Sequence, residues 1–174
     1  MSVSWKEMLI DMVDDQDRVV GQVRRDDVFR LRANFRVAHA FVFNRRGELL
    51  LQQIAPGKRH AGRWGSSMAG YVHSGEGYSE AAHRRLKEEL GIIAQVEQAK
   101  YLSMEDSGCR KFITLFTVQY EGPLAPAPAE VSSIELRSPS EVSELLFQEE
   151  SRFTPTFAFI FEQFFFPIGR VASR

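Results

Sequence analysis

Disulfides, a membrane span, internal repeats and an excess of either charge are all missing from this 174-residue chain. Its one cysteine, Cys109, cannot form an internal disulfide. A lone thiol fits a reducing cytoplasm and reads most simply as a small buried or half-buried hydrophobe. The richest apolar stretch, residues 157–166, carries Glu162 and Gln163 and is too short to cross a bilayer. The 22 Lys and Arg against 23 Asp and Glu leave a formal net charge of −1, so there is no polycation for bulk nucleic-acid binding. Residues 1–16 have no basic segment followed by a long apolar run, so no secretory signal is expected. These absences predict a cytoplasmic protein. The length suits one domain over 1–174 with a proper core.

Chemistry is concentrated in residues 70–92, GYVHSGEGYSEAAHRRLKEELGI. Gly77 is a tolerated helix N-cap, and Glu80 falls at the third helical position, at the positive end of the dipole. Tyr78, Ala82, Leu86 and Leu90 recur every four residues and make one apolar face, and Gly91 supplies the stop. At about 100° per residue, positions 85, 88 and 89 share roughly a third of the helix circumference. Glu88 and Glu89 therefore crowd two negative charges together. Such a pair calls for a cation, and hard Mg²⁺ or Mn²⁺ suits carboxylates, water and substrate phosphates. A plain amphipathic helix with solvated charges is the other reading of the same residues.

Around this segment the pattern is mixed. Strands are expected at 8–13 and 18–23, with a turn between them, and a short helix or loop at 24–32. Further strands are expected at 37–43 and 48–53, joined by a turn at 44–47. A loop at 55–62 and a lead-in at 64–69 precede the glycine. More strands follow at 100–104, 112–120 and 130–136, and the Pro- and Ala-rich 122–130 reads as a connection. Ser140 is expected to cap a helix over 140–149, after Pro139. Thr154 caps the last helix, 154–166, with Pro155 in its first turn. That helix carries six phenylalanines, and their spread suits burial against the domain or an exposed patch for a homodimer.

The spacing of Gly70, Glu76, Arg84, Leu86, Glu88, Glu89, Gly91 and Ile92 resembles the Nudix box, with Arg85 standing where the family usually has glutamate. Residues 12–21, 40–53, 81–92 and 153–164 resemble the branch related to type I isopentenyl diphosphate isomerase. The resemblance implies an α/β Nudix fold, a mixed β-sheet sandwiched between α-helices. It implies 1–35 as an N-terminal strand-turn-strand with a short helix, and 70–92 as a loop-helix-loop. It also implies a metal held by Glu89, Glu88 and the Gly70 carbonyl, with Glu76 and Arg84 as a structural ion pair.

Isomerase chemistry is not expected. The positions that carry that branch's cysteine and histidines fall at Ala69, Tyr71 and near Phe35, and its acidic pair falls near Cys109 and Lys111. Alanine and phenylalanine neither ligate a metal nor move a proton. The expected activity is divalent-metal-dependent hydrolysis of a diphosphate linkage in a nucleoside diphosphate derivative or a related compound. The alternative is a weak or inactive module that binds such a ligand.

Arg85 decides between them. Its guanidinium cannot act as a base, yet it matches phosphate oxygens in a bidentate way, as the isomerase branch also does here. A carboxylate must then orient the water. Glu130 is the leading candidate, ahead of Glu105 and Asp106. Lys58, with Arg59 and Arg63, makes the preceding loop basic and suited to substrate phosphates, whereas Ile54 forgoes one phosphate contact that relatives make. His60 and His73 receive no role, and Trp64 and Tyr71 suit core packing better than base stacking.

Overall fold

The computed structural model describes residues 8–167. Residues 1–7, part of the stretch read for a secretory signal, and residues 168–174 lie outside them. Strands β1 (Leu9–Val13) and β2 (Val19–Arg24) pair antiparallel as a hairpin, followed by a single 3₁₀ turn at Arg25–Asp27. A seven-stranded mixed sheet then takes β3 (Phe35–Phe43), β4 (Leu49–Ile54), β5 (Trp64–Gly65), β6 (Met68–Tyr71), β7 (Glu97–Asp106), β8 (Cys109–Gln119) and β9 (Val131–Arg137). The helices are α1 (Tyr78–Leu90), α2 (Pro139–Glu149) and α3 (Pro155–Phe165).

The centre of the sheet is β3, paired in parallel with β8 from Phe35↔Lys111 to Phe43↔Gln119. Side chains alternate across a strand. Phe35, Val37 and Phe41 therefore meet Val142, Phe157, Ile160 and Phe161 of α2 and α3 in one core. Ala38, Ala40 and Val42 face the other way and join Ala81, Ala82, Leu86 and Leu90 of α1 in a second core. The sheet is thus covered by helices on both faces, the α/β sandwich expected. No helix among the described residues is long and apolar enough to cross a membrane.

One irregularity makes the cleft. β3 pairs with β4 only at Phe43↔Leu49; further back along β3, β6 takes that edge from Val37↔Tyr71 to Ala40↔Met68. β4 turns instead to β5 and β9. The sheet therefore forks, and a cleft of about 440 Å³ opens between the branches.

Two expectations need correction. Ser138, not Ser140, caps α2: its hydroxyl accepts from Glu141 N at 3.2 Å, and Glu141 Oε2 accepts from Ser138 N at 2.8 Å. Pro139 belongs to the first turn, where a missing N–H costs nothing, so the cap moves one residue ahead of it. The strand expected at 100–104 runs over Glu97–Asp106, because β8 gives it a long antiparallel partner. In α3, Phe157 and Phe161 are buried while Phe166, just past its end, is 57% exposed.

Candidate active site

Helix α1 is fixed at both ends before it presents anything. Glu80 reaches back to Gly77 N at 3.4 Å, and Gly91 takes a left-handed φ of 69° that closes the helix. The connection through 122–130 then covers the C-terminal carbonyls: Ala125 N donates to Leu90 O at 2.8 Å and Ala127 N to Glu89 O at 2.9 Å. These are orphan acceptors that a helix end must satisfy, and satisfying them delivers Glu130 to the cleft. The loop before α1 is held by Arg84, whose Nε meets Glu76 Oε1 at 2.7 Å and whose Nη2 meets Tyr71 O at 3.1 Å. Glu76 also accepts from His73 N at 2.9 Å. The hairpin adds a brace, since Asp11 accepts from Ser74 Oγ at 2.8 Å and Gly75 N at 3.2 Å.

The carboxylates expected at this site surround one cation. Arg85 Nη1 donates to Glu88 Oε2 at 3.0 Å, and Nη2 donates to Glu130 Oε2 at 3.0 Å and to Glu89 Oε1. Lys58 Nζ meets Glu130 at 2.7 Å, and Gln52 Nε2 meets Glu89 Oε2 at 3.2 Å. Glu89 is 2% exposed, and that burial pushes its carboxyl up despite Arg85, with Glu130 adding to the rise. Burial also acts to raise Glu130, but Lys58 and Arg85 hold it below the usual range. Arg85 is half-buried, which works against its charge, yet Glu89 and Glu130 raise its affinity for the proton. Its Nε is buried with no hydrogen-bond partner among the described residues.

Gly70 lies beneath this arginine. A Cβ there would sit 2.5 Å from Arg85 Nε and 2.7 Å from its Cγ, so only glycine lets the side chain cross.

Elsewhere on the cleft lining the signs reverse. Asp106 Oδ1 accepts from Arg59 Nη2 at 2.7 Å, and Asp106 Oδ2 accepts from Lys111 Nζ at 2.7 Å and from Arg59 Nη1 at 3.0 Å. Lys111 also donates to Thr156 Oγ1 at 2.6 Å. Burial works against the Asp106 anion, but its bonds from Arg59 and Lys111 hold it well below the carboxylate range. His39 forms the floor, 6% exposed, with Nδ1 2.8 Å from Ser66 Oγ. Burial and the Lys111 charge push it down to about 3, so the ring is neutral.

Glu88, Glu89, Glu130, Arg85, Lys58 and Gly70 all line the one cleft. Glu76 and Arg84 stand behind it. Glu105 pairs instead with Arg110 at 3.4 Å on the surface. Asp106 faces the cleft but is already bridged by two cations. His39, Lys111 and Thr156 were missed as site residues. Strand parity carried the signal, since His39 and Lys111 occupy positions of β3 and β8 where their neighbours of the same parity are apolar. Cys109 is fully buried, with Sγ 3.8 Å from Val28 O.

The NUDIX domain family model matches residues 33–157. The chain belongs to the Nudix family. It is 31% identical over 137 residues to an uncharacterized Nudix hydrolase of Yersinia pestis, covering 77% of this chain and 75% of that one. It is also 31% identical over 157 residues to an isopentenyl-diphosphate Delta-isomerase of Serratia proteamaculans, covering 87% of each. Among solved structures, DR0079 of Deinococcus radiodurans superposes with a TM-score of 0.80 at 24% identity, over 90% of this chain and 99% of that one. Membership makes the protein a Nudix-type hydrolase, in a family that acts on diphosphate linkages and generally uses divalent metals.

The residues present suit such a metal in kind. Glu88, Glu89 and Glu130 are hard oxygen donors gathered around one cationic group, which is the chemistry Mg²⁺ or Mn²⁺ requires. They are spread around a guanidinium, and no described cluster of three or more acids, histidines or thiols is drawn in as a ready cage.

Proposed function

We propose that this Nudix protein hydrolyses a diphosphate linkage in a nucleoside diphosphate derivative or related compound, with Mg²⁺ or Mn²⁺ held by Glu88 and Glu89 together with the Gly70 carbonyl. The reading rests on one observation: carboxylates from α1 and from the 122–130 connection converge on a single cation at the wall of a cleft. The metal would neutralise the diphosphate and polarise its phosphorus–oxygen bonds. The chain supplies position and charge. Glu130, kept anionic by Lys58 and Arg85, orients the attacking water and takes its proton. Lys58 holds the substrate phosphates as Glu130 turns to the water.

Arg85 is the substrate clamp. With a metal held by the carboxylates, it would turn from them and pair with the diphosphate through two N–H groups. Its buried, unpartnered Nε supports this reading, because a phosphate oxygen would satisfy a donor that now has no acceptor. Isomerase chemistry is set aside. Phe35, Ala69, Tyr71 and Lys111 line the cleft at the positions that resemble the isomerase site, where the resemblance would call for a cysteine, histidines and an acidic pair.

The seating of Arg85 among all three carboxylates favours a second reading, a module that binds such a ligand without cleaving it. A panel of nucleotide sugars, dinucleotides, deoxynucleoside triphosphates and coenzyme A derivatives, assayed with Mg²⁺ and Mn²⁺, separates the two. Metal-dependent turnover supports the hydrolase; binding without turnover supports the module. Arg85→Glu tests the clamp, which predicts weaker ligand binding. A rise in activity would mean that Arg85 only blunts the site.

A further inference from the structure

Another part of the cleft lining carries a polar cluster around the buried Lys111 that diphosphate hydrolysis does not use. Lys111 rises from β8 with its side chain only 9% exposed. Of its three N–H bonds, one goes to Asp106 and one to Thr156, and among the described residues the third has no acceptor. Thr156, having accepted from Lys111, still has its own hydroxyl proton to give. Asp106 is shared between Lys111 and Arg59, so the three groups together carry one excess positive charge. His39 beside them is neutral and Ser66 is uncharged, so neither offsets it. Arg59 is exposed and stacks on Phe29, so the charge that most favours a bound anion is the buried Lys111 ammonium.

The opposite wall of the same cleft has the reverse balance: Glu88, Glu89 and Glu130 against Arg85 and Lys58. A ligand that spans the cleft therefore meets a cation-binding end and an anion-binding end. A volume of about 440 Å³ lies within the usual range of small-molecule sites, roughly 300–1,000 Å³.

We infer that Lys111 is a specificity-determining residue that selects diphosphate compounds bearing a second anionic group, a carboxylate or a phosphate, at the end remote from the linkage cleaved. The inference rests on the hydrolase reading for which end of the ligand lies at Glu89. The anion takes the open Lys111 N–H and the Thr156 hydroxyl, and Arg59 adds long-range attraction. Asp106 orients Lys111 and Arg59 and limits their combined charge to one.

The test uses matched probes on the full chain: UDP-glucuronate against UDP-glucose for a carboxylate, and coenzyme A against dephospho-coenzyme A for a phosphate. Calorimetry in Mg²⁺ buffer reads affinity, and product analysis reads turnover separately. The charged member of at least one pair should bind about tenfold tighter, and the pair that separates identifies the anion. Lys111→Met should bring that pair to equal affinity. Asp106→Asn should widen the preference, because it frees a second positive charge. If Lys111→Met does not fold, Asp106→Asn decides. Equal affinities in both pairs for the wild type, or a preference that Lys111→Met retains or Asp106→Asn leaves unwidened, would overturn the inference. A preference without turnover would keep the subsite and remove the hydrolase reading. Turnover without a preference would do the reverse.

Discussion

The two ends of the cleft are electrostatic mirror images. At one, three carboxylates meet on Arg85, with Lys58 also on Glu130 and Arg84 also on Glu88; at the other, two cations share a single carboxylate. The environments then act in opposite directions on the acids. Glu89 is buried deeply enough that Arg85 does not compensate, and its carboxyl is pushed up, whereas Asp106 is held well down by two donors. An acid that is under-neutralised has capacity for another cation. An acid that is over-neutralised leaves its cations with capacity for another anion. On the proposed reading, the same forked sheet would present a site for metal and diphosphate and a site for an anionic substituent.

The sharpest way to break this contrast is at Glu89. Glu89→Gln keeps the shape and removes the charge, and should lower kcat on the order of 10²–10³-fold in a diphosphate assay, as loss of a main electrostatic contributor does. A loss of only a few fold would move the metal elsewhere. Next is Arg85→Ala, which removes the resident cation. Mn²⁺ affinity in the absence of any ligand should then rise about tenfold, the effect of deleting a competing charge within a few ångströms. Magnetic resonance of free Mn²⁺ reads this directly, and an unchanged affinity would mean that Arg85 does not occupy the cation's place. Gly70→Ala should act in the same direction but less far, because its new methyl displaces Arg85 by contact and does not delete it.

The smallest effect belongs to the far end. Asp106 is held below its unfolded value, so it adds stability that is present above the unfolded pKa, about 3.9, and is lost as pH falls toward its folded value. Thermal melts of Asp106→Asn should therefore lie below wild type at pH 7, with the gap closing under acid. A gap independent of pH would mean that the substitution acts through packing and not charge.

Much of the near end was readable from residue order. Gly77, Glu80 and Gly91 mark the helix ends by local chemistry, and the i, i+3 and i+4 spacing of Arg85, Glu88 and Glu89 dictates that they meet. The Glu76–Arg84 pair, separated by eight residues, needed the box to suggest it. The far end was hidden for a physical reason. Arg59, Asp106, Lys111 and Thr156 come from different elements, and strand pairing and α3 docking bring them together. Asp106 and Lys111 lie five residues apart across the β7–β8 turn, but no spacing along the chain brings Arg59 or Thr156 to them. His39 and Lys111 left only a weak trace, a polar residue on the apolar parity of a buried strand. The α2 cap was misplaced because Pro139 was taken as a barrier before the helix, when its fixed φ suits the first turn.

The most direct test of the central claim is a calorimetric Mn²⁺ titration of wild type and Glu89→Gln with methylenebisphosphonate, a diphosphate analogue that is not cleaved. The expected result is saturable Mn²⁺ uptake by wild type that weakens at least about tenfold in Glu89→Gln. Equal uptake by both proteins, or none by wild type, would contradict it.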